Sequence, residues 1–441
     1  MGGNTVKRIW TTVLSLTLVV SLLAGCGGQK SAEPAPQTPA PAASENPSPA
    51  PSDPEPAAQP KGDTTGVTDT TVRVGGFAAQ SGAVAPIGIS VREGFEAYIR
   101  HVNDNGGVHG RKIEIVNVID EQFDAAKGLA ASKQLVESDK VFALAPVLGT
   151  PGVLASMDYW VETGVPVVYP MTGVEQTAHP PKKNVFAVQP NNPDEAAVLA
   201  QYVVKELGKT RLAVFWQNSD MGKQGLKGIQ DHAQKLGAQV VYDAPHEAGS
   251  VDFSTPVLNA QAKGAEAVIL YTTLGETIAA LKSMYELGYD AVPITSYVNA
   301  DPENVPKLAG EAAVGLIAGG WVPVADPNDP DIQKFWEIVG TYFKDADGNP
   351  KVPNAYHTAG FIAGELLVKG LEDAGRDLTR EGFIQALENL KDFNGIMAKG
   401  ISYGPNERAG VLNFYLNKVI KDENGNIVMV PINKEPYRLE R

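Results

Sequence analysis

The sequence has 441 residues and an acidic balance, with 51 Asp and Glu against 37 Lys and Arg and a formal net charge of −14 at pH 7. It contains no basic stripe and no arginine-rich segment, which excludes nucleic acid as a partner. The part that follows residue 70 is longer than the about 250–300 residues at which one hydrophobic core stops growing, so two domains or lobes are expected.

The N-terminus has the form of an export signal. Two basic residues precede a mainly apolar run from Ile9 to Leu23, which is shorter than the ~20 residues needed to span a bilayer. The run leads into Leu-Ala-Gly-Cys, which resembles the bacterial lipobox, in which the cysteine receives a lipid and becomes the mature N-terminus. We expect a signal peptide over 1–25 and lipid attachment at Cys26, which anchors the protein on the outer face of the bacterial cytoplasmic membrane. The alternative is a chance cysteine behind an ordinary signal peptide.

A proline-rich segment follows the predicted lipid site. Ten prolines lie between Pro34 and Pro60, and such a segment has too little apolar surface to fold. Residues 26–69 are therefore predicted to be a lipid-anchored, semi-rigid linker. Because lipidation consumes the single cysteine, the folded part holds no disulfide, no cysteine zinc site and no cysteine nucleophile.

Short apolar strands then alternate with amphipathic helices in two successive series. β-branched and apolar strands separated by helices predict parallel sheets covered on both faces, and two series in tandem predict two doubly wound α/β lobes. The strands of the first series are predicted at 71–79, 112–120, 141–149 and 166–171, and those of the second at 211–218, 239–246, 265–273 and 292–298.

The C-terminal part has a different pattern. Long helices are predicted at 331–343 and 355–375, with another at about 379–390. Two strands around an Asn-Gly turn at Asn424 and Gly425 follow. Helices and a hairpin do not make a third lobe, so this part is expected to complete the two lobes already begun.

Signatures of catalysis are absent from the sequence. There is no G-x-S-x-G turn, no P-loop and no G-x-G-x-x-G motif. No two of the six histidines have a zinc-ligand spacing, and the acidic stretches 345–349 and 422–426 are typical of turns. We therefore expect no enzymatic activity, no metal and no cofactor.

Two hydroxyl-bearing loops are the strongest indication of binding. "LGTPG" (148–152) follows the third strand and "PMTG" (170–173) follows the fourth. Ligands of open parallel sheets bind beyond the carboxyl ends of the strands, where helix N-termini offer free N–H groups. Thr150 and Thr172 would then form a corner that accepts an anion. The alternative for both loops is ordinary capping and turn chemistry.

Several motifs along the chain together carry a family resemblance. They are Ser81-Gly82 with Gly88, Gly94-Phe95, the turn from Asn103 to Ile113 with the strand ending in Asp120, and then 308–319 and the helix at 356–375. The resemblance they carry, over about 71–431, is to the branched-chain amino-acid-type (Leu/Ile/Val-binding-like) substrate-binding lipoproteins of bacterial ABC transporters. It implies a periplasmic-binding-protein type I fold with three hinge crossovers. The implied boundaries are lobe 1 at 70–190 and 321–401 and lobe 2 at 191–320 and 402–441, with crossings near 189–192, 319–322 and 399–404.

The resemblance also implies a ligand site. The family binds the ligand carboxylate with loops that match Gly149-Thr150-Pro151 and Met171-Thr172-Gly173. Elsewhere this chain departs from amino-acid binders, because the matching positions for the ammonium-binding acid and for aromatic contacts hold other residues. Those positions are Val298 for the acid and Ile87, Met221 and Thr273 for the aromatic residues. Asp120, Glu121, Glu175 and Glu276 are the acids that could substitute, and Tyr297, Tyr356, His357, Trp321 and Met221 the residues that could line the rest of the site.

These observations predict a monomeric binder of a small carboxylate-bearing organic molecule, held between two closing lobes and delivered to an ABC permease and its ATPase. A buried ammonium without a partner is costly, which disfavours a standard amino acid as the ligand. A branched-chain amino-acid binder, a ligand-binding sensor without transport, and an extracellular hydrolase remain the alternatives.

The lipid site can be tested directly. We expect mass spectrometry of the mature protein to find an N-terminus at Cys26 with diacylglycerol on its sulfur. An unmodified Cys26, or cleavage at another position, would contradict the predicted anchor, and Cys26→Ser is the matching control that should release the protein from membranes.

Overall fold

The computed structural model describes residues 61–440, apart from 83, 323–327, 412 and 433–435. The predicted signal peptide, the lipid site at Cys26 and most of the proline-rich linker lie outside the described residues. Two separate sheets organise the described part of the chain. Among these residues, no helix combines the length and the apolar character that crossing a membrane requires.

The first sheet contains six strands, in the spatial order β2-β1-β3-β4-β6 with β5 paired to β3, and every pairing is parallel. We call this sheet with its helices the first lobe. The strands are β1 (Thr71–Phe77), β2 (Lys112–Ile119), β3 (Ala143–Leu148), β4 (Val167–Val168), β5 (Pro170–Met171) and β6 (Val185–Phe186). The connecting helices are α1 (Ala85–Asp104), α2 (Ala125–Lys133, continued by a π-helical turn to Ser138) and α3 (Thr150–Thr163).

The second sheet contains eight strands and belongs to the second lobe. Its order is β13-β12-β11-β10-β9-β7-β8 with β14 paired to β12; the pairings from β11 to β8 are parallel, and those of β12 are antiparallel. The strands are β7 (Arg211–Gln217), β8 (Gln239–His246), β9 (Ala267–Tyr271), β10 (Val292–Thr295), β11 (Ile317–Gly320), β12 (Asn413–Lys421), β13 (Ile427–Pro431) and β14 (Tyr437–Arg438). Its helices are α4 (Asn192–Lys205), α5 (Asp220–Lys235), α6 (Ser254–Ala262), α7 (Leu274–Glu286) and α8 (Asn304–Ala309).

Each sheet is covered by helices on both faces. In the first lobe, Phe95 of α1 belongs to one buried apolar cluster, while Trp160 of α3 belongs to a second cluster on the other face. In the second lobe, Leu199 of α4 and Leu281 of α7 lie in two such clusters. The β-branched strands are therefore buried from both sides, as parallel sheets require. The predicted pair of doubly wound α/β lobes is confirmed.

The C-terminal helices return to the first lobe. They are α9 (Pro330–Tyr342), α10 (Ala355–Ala374) and α11 (Arg380–Glu388). Tyr403 and Val411 are also buried in the core of the first lobe, before β12 joins the second sheet. The chain thus passes between the lobes three times, after β6, after β11 and before β12. The predicted residue boundaries of the lobes stay predictions.

One predicted strand is interrupted in the structure, and the two acidic stretches form turns. The strand expected at 166–171 is split into β4 and β5, because Tyr169 between them has a φ of 56°. The acidic stretches form turns in which the Asp345 carboxylate accepts the Asn349 N–H, and the Asp422 carboxylate accepts the Asn426 N–H. Each aspartate closes its own turn with an Asx-type bond.

Close contact between α1 and α10 tests the packing of the first lobe. A Cβ on Gly360 would overlap the carbonyl oxygen of Val91. The atoms it meets belong to the backbone of α1, so no flexible side chain can move to make room. We expect Gly360→Ala to destabilise the protein by about 1–3 kcal/mol or more, seen as a lower urea midpoint. Gly275→Ala, also in a helix but facing open space, is the control and should be neutral or stabilising by up to ~1 kcal/mol. Equal midpoints for the two variants would contradict this packing.

Candidate functional site

A cavity of about 300 Å³ lies where the loops at the strand ends of both sheets meet. The first lobe contributes the loops after β3 and β5, and the second lobe those after β7, β9 and β10. All of these are carboxyl ends of parallel strands, where an open α/β sheet offers helix N-termini and free backbone groups. The cavity is therefore built from both lobes.

One corner of the cavity carries paired hydroxyl groups. The Oγ1 atoms of Thr150 and Thr172 lie 2.7 Å apart, and Thr172 is buried. Thr150 is the first residue of α3, and the first N–H groups of a helix have no partner within the helix. Hydroxyls next to a helix N-terminus form a site with donors and a positive partial charge, which suits an anion.

Glycine is required at two positions around this corner. Gly149 has a φ of 117°, and a Cβ there would lie 3.1 Å from Oε1 of the buried Glu121. A Cβ on Gly173 would collide with Oδ1 of Asn192 and with the hydroxyl of Tyr297, both in the second lobe. The loop after β5 therefore approaches the second lobe at van der Waals distance.

A chain of hydrogen bonds between residues of the cavity wall connects the two lobes. The Tyr169 hydroxyl donates to Oε1 of Gln189 at 2.9 Å, and Nε2 of Gln189 donates to the Tyr297 hydroxyl at 3.0 Å. Burial raises the pKa of both phenols well above the usual value, so they stay neutral. Tyr169 also meets Trp321 edge to face, with ring centroids 5.9 Å apart. Gln189 lies on the segment that crosses between the lobes, so this chain of bonds runs through the hinge.

Charge is nearly absent from the cavity wall. Among the described residues that line it, Asp301 is the one with an ionisable carboxyl, and none is Lys, Arg or His. One oxygen of Asp301 accepts the N–H groups of Glu303 and Asn304, and so Asp301 also caps α8. The rest of the wall is mainly apolar and is provided by Val84, Ile87, Val91, Phe123, Leu148, Met171, Met221, Val298, Ala300, Trp321, Ala355 and Ala359.

The four acids that the sequence suggested lie outside the cavity lining; they are Asp120, Glu121, Glu175 and Glu276. Glu276 is buried, and although burial raises its pKa, hydrogen bonds from Thr273, Gly249 and Gln217 outweigh that effect and lower the pKa. Glu121 is fully buried, and burial raises its pKa. Among the described residues, no group of three His, Cys, Asp or Glu side chains is placed to hold a metal ion.

The structure brings together nearly all of the residues that the sequence singled out for ligand binding. These line the one cavity: Ile87, Gly149, Thr150, Met171, Thr172, Gly173, Met221, Thr273, Tyr297, Val298 and Tyr356. Pro151 does not line it and sits in the first turn of α3. His357 does not line it either, because it is buried against Glu93 and caps α10 with Asn354.

Sequence reasoning missed several residues of the lining. Asp301 lies three residues beyond Val298, the position that matches the acid of amino-acid binders, and its pattern before a helix is typical of a residue that bonds helix N–H groups. Tyr169 gave no signal because a tyrosine inside an apolar strand is normally core. Gln189 and Asn192 were noticed only as part of the hinge.

A cavity between two doubly wound lobes, joined by three chain crossings, defines the class of two-lobed α/β binding proteins. The chain belongs to the periplasmic binding protein family, since a model of that family matches residues 71–424. The predicted resemblance to the Leu/Ile/Val-binding type is confirmed by relatives with that name.

Two curated relatives illustrate the match. Leu/Ile/Val-binding protein homolog 3 of Brucella melitensis is 30% identical over 199 residues, which cover 45% of this chain and 53% of that relative. This chain thus matches about half of that protein's length. The Leu/Ile/Val-binding protein BraC3 of Rhizobium johnstonii is 24% identical over 367 residues, covering 81% of this chain and 93% of the relative.

Two solved structures share the fold. An ABC transporter substrate-binding protein from Sphaerobacter thermophilus has a TM-score of 0.73 at 21% identity, covering 84% of this chain and 98% of the other. A fatty acid ABC transporter substrate-binding protein from Thermomonospora curvata has a TM-score of 0.72 at 22% identity, covering 86% and 95%. The likeness shows a common architecture, and the predicted type I fold is confirmed.

The contact at Gly173 can be tested by adding one methyl group. Gly173→Ala would push the loop after β5 away from Asn192 and Tyr297, so we expect the lobes to separate. Small-angle scattering should then show a larger radius of gyration than for the wild type. Gly275→Ala, which meets no atom, should leave the radius unchanged. An unchanged radius for Gly173→Ala in a folded protein would contradict the close approach of the lobes.

Proposed function

We propose that this protein is an extracytoplasmic solute-binding lipoprotein of an ABC importer, and that it captures a small carboxylate-bearing organic molecule between its lobes. The observation that carries the proposal is the Thr150–Thr172 hydroxyl pair at the N-terminus of α3, on the wall of an otherwise mainly apolar cavity. The closed, loaded form would dock on a membrane permease driven by a cytoplasmic ATPase.

The chemistry of the corner favours a single carboxylate. Two hydroxyls and unpaired helix N–H groups can satisfy one carboxylate group by charge-assisted hydrogen bonds. A second negative charge on the ligand would meet no cation among the described residues of the lining, and Asp301 would repel it. A ligand with one carboxylate and no further negative charge is therefore the best match.

The remaining wall favours an apolar body. Side chains such as Ile87, Met221, Val298 and Trp321 offer hydrophobic contact to the part of the ligand that lies away from the carboxylate. The volume of about 300 Å³ is at the small end of ligand pockets, which limits the ligand to a small molecule. The name of the fatty acid-binding structural neighbour describes the same combination of carboxylate and apolar body.

One observation favours a second candidate, a branched-chain amino-acid binder. Asp301 provides a carboxylate on the cavity wall that an ammonium group would need, and Tyr356 lines the same cavity. The curated relatives are named for Leu, Ile and Val. In this alternative the ligand carboxylate occupies the same threonine corner, and Asp301 receives the amine.

Isothermal calorimetry against leucine, isoleucine, valine, benzoate and octanoate separates the two candidates. We expect benzoate or octanoate to bind, and Thr150→Ala to weaken that binding about 10–100-fold because a charge-assisted hydrogen bond is worth about 1.5–3 kcal/mol. Thr163→Ala is the matched control, because this threonine lies at the far end of α3 and bonds only to backbone carbonyls.

Two results of this calorimetric panel would contradict the proposal. Micromolar binding of leucine, isoleucine or valine, lost in Asp301→Asn, would replace the proposed ligand class by the amino-acid alternative. An affinity that Thr150→Ala leaves unchanged would remove Thr150 from the carboxylate site.

A further inference from the structure

A buried carboxyl group lies directly behind the cavity. Glu195, in the first turn of α4, is 1% exposed. Its Oε1 accepts the backbone N–H of Tyr297 at 2.5 Å, and its Oε2 accepts the Tyr271 hydroxyl at 2.7 Å. Tyr297 lines the cavity, while Glu195 and Tyr271 do not. Glu195 therefore holds a cavity residue by its main chain without itself touching the cavity.

The hydrogen bonds of Tyr271 have two possible arrangements. Its hydroxyl lies 2.7 Å from Glu195 and 3.2 Å from the carbonyl oxygen of Asn192. When Glu195 is ionised, Tyr271 donates to the carboxylate. When Glu195 is protonated, the acid can donate to Tyr271, and Tyr271 can then donate to Asn192. A proton on Glu195 thus changes the bonding of Asn192, another residue of the cavity wall.

Both affected residues touch the first lobe. Asn192 donates its backbone N–H to the carbonyl of Gly173, and the Tyr297 hydroxyl accepts from Gln189, which in turn accepts from Tyr169. These are the contacts that the lobes make when they are together around the cavity. Glu195 lies in the first turn of α4, close to Asn192 and to the point where the chain enters the second lobe.

In the part of the chain that the structure describes, the groups packed around Glu195 supply no positive charge. Tyr271 faces it from β9 and Tyr297 from the turn after β10, and these are the titratable groups that act on it. From β11 the facing residue is Gly319, and Leu199 packs beside that glycine from α4 itself. Burial raises the pKa of Glu195 to about 7, although the bonds from Tyr297 and Tyr271 lower it in part. The group therefore titrates near neutral pH.

We propose that Glu195 is a positioning residue for ligand binding, and that its protonated form favours the closed arrangement of the lobes. This inference rests on the proposed function in one respect, namely that the cavity between the lobes is the ligand site. The protonated form lets Tyr271 donate to Asn192, whose backbone N–H bonds Gly173 of the first lobe, and ionisation withdraws the Tyr271 bond. Ionisation therefore favours opening.

The sign of the pH dependence follows from linkage. The bond from Tyr271 to Asn192, which supports the contact between the lobes, is available when Glu195 is protonated, and burial raises the pKa of Glu195 in this arrangement to about 7. The closed form binds the proton more tightly, so its stabilisation is fully present at low pH. It is lost as the pH rises through about 7.

Distance measurements on the ligand-free protein test this inference without any ligand. Spin labels on Ala126→Cys of α2 and Lys223→Cys of α5, both exposed, report the separation of the lobes in the full chain carrying Cys26→Ser. Double electron–electron resonance spectroscopy should show that the population with short distances falls as the pH is raised from 5.5 to 8.5, with a midpoint near 7. Glu195→Gln, which stays neutral, should keep that population constant.

Glu365 provides a matched control. It is also 1% exposed and has a pKa that burial raises to about 7, but it lies on α10 and its carboxylate accepts backbone N–H groups of 396–398, away from the cavity. Glu365→Gln should leave the pH response of the distances intact. Tyr271→Phe, which removes the hydroxyl that links Glu195 to Asn192, should weaken the pH response of the distances, and it carries the test if Glu195→Gln does not fold.

Two results would overturn the inference. One is a distance distribution of the wild type that stays constant over this pH range while the protein remains folded. The other is an unchanged pH response in Glu195→Gln. Because no ligand is present, a failure here is distinguishable from a failure of the calorimetric panel, which tests the proposed function.

Discussion

The contact of Gly173 with Asn192 and Tyr297 is the constraint on which the rest of the site depends. It brings the loop after β5 of the first lobe against two residues of the second lobe, at a distance that leaves no room for a Cβ. The cavity has walls from both lobes only because this contact is made. The hydroxyl pair of Thr150 and Thr172 lies next to it, so the anion corner and the lobe contact form one structure.

The cavity wall carries far less charge than the chain as a whole. The chain carries a formal net charge of −14, yet the described cavity lining includes a single carboxylate and no cation. Oriented hydroxyls and backbone N–H groups provide the positive potential, and unlike a buried Lys or Arg they need no counter-charge when the ligand is absent. The carboxyl group of Glu195 behind this wall is satisfied in the same way, since its hydrogen-bond donors are the backbone N–H of Tyr297 and the hydroxyl of Tyr271.

Much of the architecture and most of the cavity lining could be predicted from the sequence. Alternating apolar strands and amphipathic helices predicted two parallel sheets, and the rule that ligands lie beyond the carboxyl ends of strands selected the loops of Thr150 and Thr172. The turn at Asn424 and Gly425 predicted the hairpin of β12 and β13, which forms. The role of these lining residues in binding is a prediction that awaits a ligand.

Other features could not be predicted, because they depend on contacts between distant segments. Asp301 has the local pattern of a helix cap, and its position on the cavity wall depends on how the second lobe faces α10. Tyr169 adopts a φ of 56° inside a run that reads as one continuous strand, and its hydroxyl reaches Gln189 across the hinge. Glu195 lies in the first turn of a helix as acids commonly do, and nothing local distinguishes it from the less buried Asp194 beside it.

The sequence by itself determined the secondary structure, the pairing of strands and helices into two lobes, and the loops that carry hydroxyl groups, because these follow from periodicity and chain order. The tertiary structure alone decided which side chains of the two lobes meet. Residues more than a hundred positions apart, such as Glu195 and Tyr297 or Gln189 and Tyr297, come within hydrogen-bond distance only in the folded chain. The functional groups of the cavity can therefore be read from local sequence, whereas their relative positions depend on the fold of the whole chain.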